Sequence, residues 1–349
     1  MPAKGNSDRP NMQHIADAAG VSKSAVSLAL KNDPRLPEAT RERIQQIAAD
    51  MGYQRNPVMA GLMAQLRASR TPKFQANLAW LNCAETQDMM QWHTFKNFRK
   101  GAKERAQSMG YGLEDFWLGE QGMSAARLAQ ILNARSIRGV IAAAAQVPGN
   151  LHDGYDAFWD QFSCCVVGIA NFTPRLPAAI VDHYQVSMLA AQKALEAGYQ
   201  KPALVLEHAL DELLIGRFSA GFHSVVKDLP SNRIAPVHPF DWREKQAFLK
   251  WFKEHKPDVI VTAHTDVRKW IDEAGISVPE TVGLIHLDLE PEMSDWAGVK
   301  QHNEQVGANA ADLVIAQITR AETGAFANPK IMMINSDWED GPSIKKKQL

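Results

Sequence analysis

The sequence predicts a small all-α helix-turn-helix domain followed by a two-lobed α/β domain with parallel sheets. Three observations carry that prediction. Residues 12–32, MQHIADAAGVSKSAVSLALKN, space their small and apolar side chains as two crossed helices require. From residue 76 onward, short apolar runs alternate with amphipathic stretches. The basic excess is confined to the front: residues 1–73 hold 11 Lys and Arg against 6 Asp and Glu, and the remainder holds 27 against 33. A basic leading unit suits phosphate binding, and the overall net charge of −1 excludes a protein that is basic throughout.

In the leading unit, Ala16 is small where the two helices cross. Gly20 supplies the left-handed position that the tight turn requires. Val26 is a β-branched plug in the angle between the helices, and Ile15, Ala19, Val21 and Leu30 complete one apolar face. Ser22 is a natural N-cap for the second helix, which leaves Lys23, Ser24 and Ser27 on its outer face. After the break at Asp33-Pro34, PEATRERIQQIAADMGY (37–53) reads as a third helix with Ala39, Ile44, Ile47, Ala48 and Met51 facing inward. A short apolar helix, VMAGLMAQLR, begins after Pro57.

The rest alternates. NLAWLN (77–82) is a strand, and residues 93–111 form an amphipathic helix ending near Gly110. GLEDFWL, a helix over 124–134 and GVIAAAA (139–145) repeat the unit. CCVVGIAN (164–171), AAIVD, a helix over 186–199, ALVLE and a helix around RFSAGFHSVV follow, then APVHPF, PDVIVTA and VGLIHLD. Uninterrupted apolar strands between helices mean parallel sheets covered on both faces. About ten strands exceed what one such sheet usually holds, so two lobes are expected.

The chain resembles the LacI/GalR family of bacterial transcription regulators. The residues that carry the resemblance are I15-A16-x-x-A19-G20-V21-S22-x-x-x-V26-S27, T40-R41-x-R43-I44 and G52-Y53-x-x-N56-P57-x-x-A60-x-L62. Further on they are V181-D182, G198-Y199, R217-x-x-x-G221-F222, T262-A263, V278-P279-x-x-V282-G283-L284-I285-x-x-L287-D288, V299-x-Q301, V306-G307 and W338-x-x-G341. The resemblance covers about residues 11–341 and implies three parts. These are a DNA-binding domain (11–54), a hinge helix and linker (55–75), and an effector-binding and dimerisation domain (76–345) similar to type I periplasmic sugar-binding proteins. Ala25, Leu28 and His14 depart from the family's usual Thr, Arg and Asp. The segment from Asp266 to Gly275 is about five residues shorter than the family's helix there.

On this resemblance Lys23 and Ser24 read base edges, while Ser22, Ser27 and Asn32 hold phosphates. Leu28 suits a thymine methyl, and Asn56 opens the hinge. That hinge is too short to be a stable isolated helix, and the resemblance implies that it folds only when two copies pair over DNA. Leu62 would then wedge between base steps in the minor groove. Ligands of open α/β sheets bind outside the carboxyl ends of strands, which selects Asn82, Asp182, Trp242, Asp266 and Asp288. Arg217 corresponds to the family arginine that reaches the effector, and His93 and Trp296 complete the candidate set. Asp182 and Asp288 could instead cap the helices that follow, Trp242 could simply pack, and Trp80, Trp92 and His93 could fill the first lobe's core. Carboxylates and Arg bind hydroxyls, and an indole covers a sugar's C–H face, so a sugar or sugar derivative is the expected effector.

No stretch approaches a membrane span, and the polar start is not a signal peptide, so a cytoplasmic protein is expected. Cys83, Cys164 and Cys165 have no metal spacing and read as buried reduced thiols. No G-x-S-x-G, no G-x-x-x-x-G-K-[ST] and no His/Cys cluster at ligand spacing occurs, so neither catalytic residues nor a metal or cofactor is expected. A transport-type sugar-binding protein would share only the two-lobed part and would need a leader. The sequence thus points to a homodimeric regulator, expected to be a repressor, that binds a pseudo-palindromic double-stranded operator and a small polar effector.

Overall fold

The computed structural model describes residues 10, 12–30, 32–53, 74–84, 86–143, 149–150, 154–169, 172–241 and 244–347. Its first unit packs α1 (Met12–Ala19), α2 (Lys23–Ala29) and α3 (Glu38–Asp50) around Ile15, Ala16, Ala19, Val26, Ala29, Ile44 and Ala48. Gly20 takes φ +67°, and the turn closes with Val21 N–H donating to the Ala16 carbonyl at 3.0 Å. Ser22 Oγ accepts from the Ala25 N–H at 3.2 Å, as an N-cap should. Gln45 on α3 donates to the Ala29 carbonyl at 2.8 Å and ties the third helix to the end of the second. Two expectations change. Ala39 is exposed, because it lies about 140° round the helix from Ile44. Ala29 of α2, not foreseen, is fully buried.

The second unit starts with β1 (Ala76–Asn82), α4 (His93–Ser108), β2 (Tyr111–Trp117), α5 (Ala125–Ala134), β3 (Gly139–Ala143), β4 (Gly149–Asn150), α6 (Asp156–Trp159), β5 (Ser163–Val167), β6 (Phe172–Thr173) and β7 (Ala178–Val181). Next come α7 (His183–Glu196), β8 (Pro202–Leu206), α8 (His208–Leu213), α9 (Arg217–Val226), β9 (His238–Pro239), α10 (Lys245–His255), β10 (Val259–Thr262) and α11 (Asp266–Glu273). The chain closes with β11 (Gly283–His286), β12 (Ala297–Lys300), α12 (Asn303–Arg320), β13 (Ile331–Ile334) and β14 (Asp337–Glu339). The helix expected from residue 186 begins three residues earlier, since Asp182 caps it by accepting from Gln185 N–H at 3.2 Å. APVHPF yields only the two-residue β9, which pairs along one edge with β8.

Two six-stranded sheets result, one ordered β13-β7-β5-β3-β1-β2 and the other β14-β12-β11-β10-β8-β9. All pairs are parallel except β12 with β14. Each sheet is the middle of one lobe. The chain passes between lobes three times: from β7 into α7, from β12 into α12, and from β13 into β14. The crossings are bonded to each other. Asp182 N–H donates to the Ile334 carbonyl at 3.0 Å, and Gln185 exchanges hydrogen bonds with the Ser336 backbone at 3.2 and 3.4 Å. The cysteines are buried as expected, and burial pushes the Cys83 thiol up to about 12.

Helices α4 and α12 cover one face of the first lobe and touch backbone to backbone. A Cβ on Gly101 would lie 1.7 Å from the Glu304 carbonyl oxygen, and one on Gly307 would lie 1.8 Å from that of Phe98. Only glycine permits this approach at either position. Gly101→Ala and Gly307→Ala should each destabilise the protein by about 1–3 kcal/mol through forced separation of the helices. The double variant should cost less than the sum, because either methyl alone already parts them. Denaturant unfolding of the three variants reads this directly, and strict additivity would refute the shared contact.

Candidate functional site

On the first unit, Lys23 and Ser24 stand exposed in the first turn of α2, with Ser22 beside them. Ser22 Oγ and Ser24 Oγ are 2.8 Å apart, so the cap and its neighbour share one hydrogen-bonded pair. Ser27 and Leu28, one turn on, are half-buried and offer less surface than expected. Asn32 is exposed with φ +56°, and its N–H bonds the Ala29 carbonyl at 3.0 Å, so its backbone ends the helix while its side chain stays outside. Asn56, Leu62 and Trp242 fall outside the described residues.

The eight effector candidates do not converge on one place. His93, Asp288 and Trp296 line a cavity of about 660 Å³ between the lobes, outside the carboxyl ends of β11 and β12. Asn82, the last residue of β1, lines a second cavity of about 500 Å³ with Trp80, Lys96, Arg99 and Trp117, all from the first lobe. Asp182, Arg217 and Asp266 line neither. Asp182 caps α7, and Asp266 sits half-buried in the first turn of α11. Arg217 opens α9, as read from the sequence, and its charge acts on the buried His183. Asn82 Oδ1 accepts from Ala84 N–H at 2.8 Å, which fixes the loop after β1. Trp80 is buried, but Trp92 is 59% exposed and fills no core. Trp296 is 5% exposed, packed edge-on against His286 at 5.2 Å, so it offers the cavity a wall more than a free face.

The interlobe cavity is bridged by polar side chains. Thr94 on α4 donates to Asp288 Oδ2 at 2.9 Å across the lobe boundary. Asn303, first residue of α12, donates to both Asp288 oxygens at 3.0 and 3.1 Å. His93 faces Glu290 at 3.4 Å and bonds Asn97 at 2.7 Å. Asp288 is therefore not a helix cap; it is the centre of a cluster that joins the lobes. Burial pushes its carboxyl up to about 6, against the opposing hydrogen bonds of Thr94 and Asn303.

Sequence reasoning missed Thr94, Asn303, His264 and His286. The carboxyl-end rule could have found the histidines, since His286 ends β11 and His264 follows β10. Both are neutral acceptors or donors held in apolar surroundings. His264 stacks on Phe240 at 4.0 Å, and Phe240 on Trp270 at 5.2 Å, in the second lobe's core. Burial lowers both imidazoles to about 4, and neither Nε2 has a partner among the described residues.

Residues 11–56 match the model of the family described as bacterial regulatory proteins, lacI family. No curated protein is similar enough in sequence to match. Among solved structures, the chain is similar to the transcriptional regulator CelR in its cellobiose complex, at 16% identity and TM-score 0.59, over 96% of this chain and 100% of that one. It is similar to the lac repressor dimer bound to operator and the anti-inducer ONPF, at 17% identity and TM-score 0.58, over 96% and 99%. It is also similar to a LacI family regulator from Enterococcus faecium with bound ribose, at 17% identity and TM-score 0.58, over 78% and 100%. The class is thus a helix-turn-helix unit joined to a two-lobed domain of the periplasmic-binding-protein type. Residues 11–56 match that family's model, and the likeness beyond them is one of fold. Among the described residues, no helix is long and apolar enough to cross a membrane.

Four histidines are held neutral by burial: His183 down to about 3, His264 and His286 to about 4, and His238 lowered as well. In the unfolded chain they titrate near 6.5, so unfolding takes up protons as the pH falls below that value. Their sign is a loss of stability from pH 6.5 downward. Asp288 acts in the opposite direction between about 6 and 4 but is one group against four. The thermal midpoint should fall steadily from pH 7 to 4.5, and His183→Gln should flatten that slope. A midpoint independent of pH over this window would refute the neutral assignments.

Proposed function

We propose that the protein is a homodimeric, sequence-specific transcription regulator, acting as a repressor, whose grip on DNA is set by a small polar effector held between its two lobes. The observation that carries this is the pairing of a lacI-family helix-turn-helix, with Lys23 and Ser24 exposed on its second helix, with a cavity walled by both lobes. A pseudo-palindromic double-stranded operator fits two such units related by a two-fold axis. Lys23 and Ser24 read base edges, Ser22, Ser27 and Asn32 hold phosphates, and Leu28 meets a thymine methyl. Asn56 and Leu62 belong to the hinge that folds on DNA, where Leu62 wedges between base steps.

A sugar or sugar derivative is the effector class that the cavity chemistry favours. Asp288, Asn303, His93 and Glu290 offer closely spaced donors and acceptors for hydroxyls, and Trp296 offers an apolar wall. Two of the structurally similar regulators hold cellobiose and ribose. Arg217, Asp182, Asp266, Asn82 and Trp242 remain further effector contacts on the family resemblance alone, since none of the first four lines this cavity. Effector hydroxyls compete with Thr94 and Asn303 for Asp288, and the lobe angle then alters the spacing of the two DNA-binding units.

Selection of genomic fragments on the full protein should return a pseudo-palindrome whose affinity falls steeply with salt. Exchanging Lys23 and Ser24 together should shift the preferred half-site by roughly 1–3 kcal/mol per altered base pair, whereas Ser27→Ala should weaken all sites alike. An unchanged preference after the double exchange would remove both as readers.

A thermal-shift screen against mono- and disaccharides supplies the effector for calorimetry. Asp288→Ala and Arg217→Ala should each weaken its binding by about 1.5–3 kcal/mol, the range for hydrogen bonds to charged groups. Full affinity in both variants would place the ligand outside the interlobe cavity.

A further inference from the structure

Two of the groups assigned above to the effector, His93 and Glu290, also form a cluster with Glu292, which that reading does not use. One donor atom from each of His93, Glu290 and Glu292 lies within 4.8 Å of the others. His93 opens α4 in the first lobe, and the two glutamates lie on the loop after β11 in the second. No spacing rule could have revealed the group, because it joins residues almost two hundred positions apart.

Charge and unsatisfied polarity both point to a cation there. The positive side chains on this wall are already engaged: Lys300 pairs with Glu339, and His302 Nε2 lies 2.9 Å from Asp337. Glu290 faces only His93, at 3.4 Å, and Glu292 has no ion pair among the described residues. Asn303, 5% exposed and lining the same cavity, has an Oδ1 with no hydrogen-bond partner among them. Asn97 Nδ2 lies 2.7 Å from the far nitrogen of His93, and turning that amide over would let its Oδ1 accept the ring N–H and free Nδ1 to ligate.

We propose that His93, Glu290 and Glu292 bind a divalent transition-metal ion of the zinc type, which ties α4 of the first lobe to the β11 loop of the second. One imidazole nitrogen with two carboxylates is a zinc-type donor set, whereas magnesium and calcium sites are built from oxygens. Ligand bonds of about 2.0–2.2 Å put donors up to about 4 Å apart, so the glutamates need only small rotations to close on one ion. Bound metal then holds the lobes together independently of any sugar, and makes the metal a second input to the regulator.

The test uses the full-length, tag-free protein, stripped with chelator and titrated with ZnCl2 in the absence of sugar. Calorimetry should give one saturable site per chain, and the melting midpoint should rise by roughly 5 °C at a hundredfold excess over Kd. His93→Ala in one lobe and Glu290→Gln in the other should each weaken binding at least about tenfold and abolish the midpoint shift. Glu290→Gln keeps the side chain's shape, so its circular dichroism should match the parent. MgCl2 should produce no shift. Absence of zinc uptake at about 100 µM, undiminished uptake in the double variant, or an equal response to magnesium would each overturn the proposal. Glu292→Gln, at the one ligand not assigned to the effector, should weaken zinc uptake and leave sugar binding intact, so the effector reading and the metal site fail separately.

Discussion

Helices α4 and α12 meet through Gly101 and Gly307 with no side chain between their backbones. That contact sets the depth at which both helices begin. His93 and Thr94 start α4 and Asn303 starts α12, so closing the gap brings three polar side chains to one edge of the first lobe. Asp288 then arrives from the second lobe and is bound by two of them. The second lobe uses the same device, since a Cβ on Gly221 of α9 would lie 2.1 Å from the Tyr184 carbonyl oxygen of α7. Each lobe thus has one pair of helices in backbone contact behind its sheet.

The polarity of the cleft follows from its position. Strand carboxyl ends lie there, and the buried groups at those ends must find partners or stay neutral. His264 and His286 stay neutral, while Asp288 finds Thr94 and Asn303 but remains harder to ionise than a free carboxyl. A carboxylate held by two neutral donors and no cation is an incomplete site in energetic terms. Ligand hydroxyls or a nearby positive charge would complete it. The lobe closure described here is therefore held by hydrogen bonds that a ligand can exchange for its own.

The helix-turn-helix was legible almost residue by residue, because its geometry rests on local rules: a small crossing residue, a left-handed glycine and a serine cap. The third helix's inward face was misread at Ala39, where the first turn precedes the packed stretch, and the buried Ala29 of α2 was missed. The α/β alternation was equally legible, and the need for two sheets followed from strand number alone. The candidate site was legible only in part. Strand-end rules found Asp288 but not its partners, since Thr94 and Asn303 reach it through helix packing that no local pattern encodes. Arg217 was correctly placed at a helix start, and Trp296 lines the cavity while packed on His286. The pairing of His93 with Glu290 depends wholly on how the lobes meet.

Three crossings make each lobe discontinuous in sequence. The first is assembled from residues 76–181 and 303–334, the second from 183–300 and 337–347. Lys347, at the far end, still belongs to the second lobe, donating to the Ala197 carbonyl at 2.8 Å. No single cut frees either lobe, and no single recombination junction could replace one with a relative's. The helix-turn-helix unit, by contrast, joins the rest at one point of the chain and can be exchanged whole. Inheritance should therefore treat the two halves of the molecule differently: the helix-turn-helix can move between lineages as a block, while the cleft between the lobes changes in place, one side chain at a time.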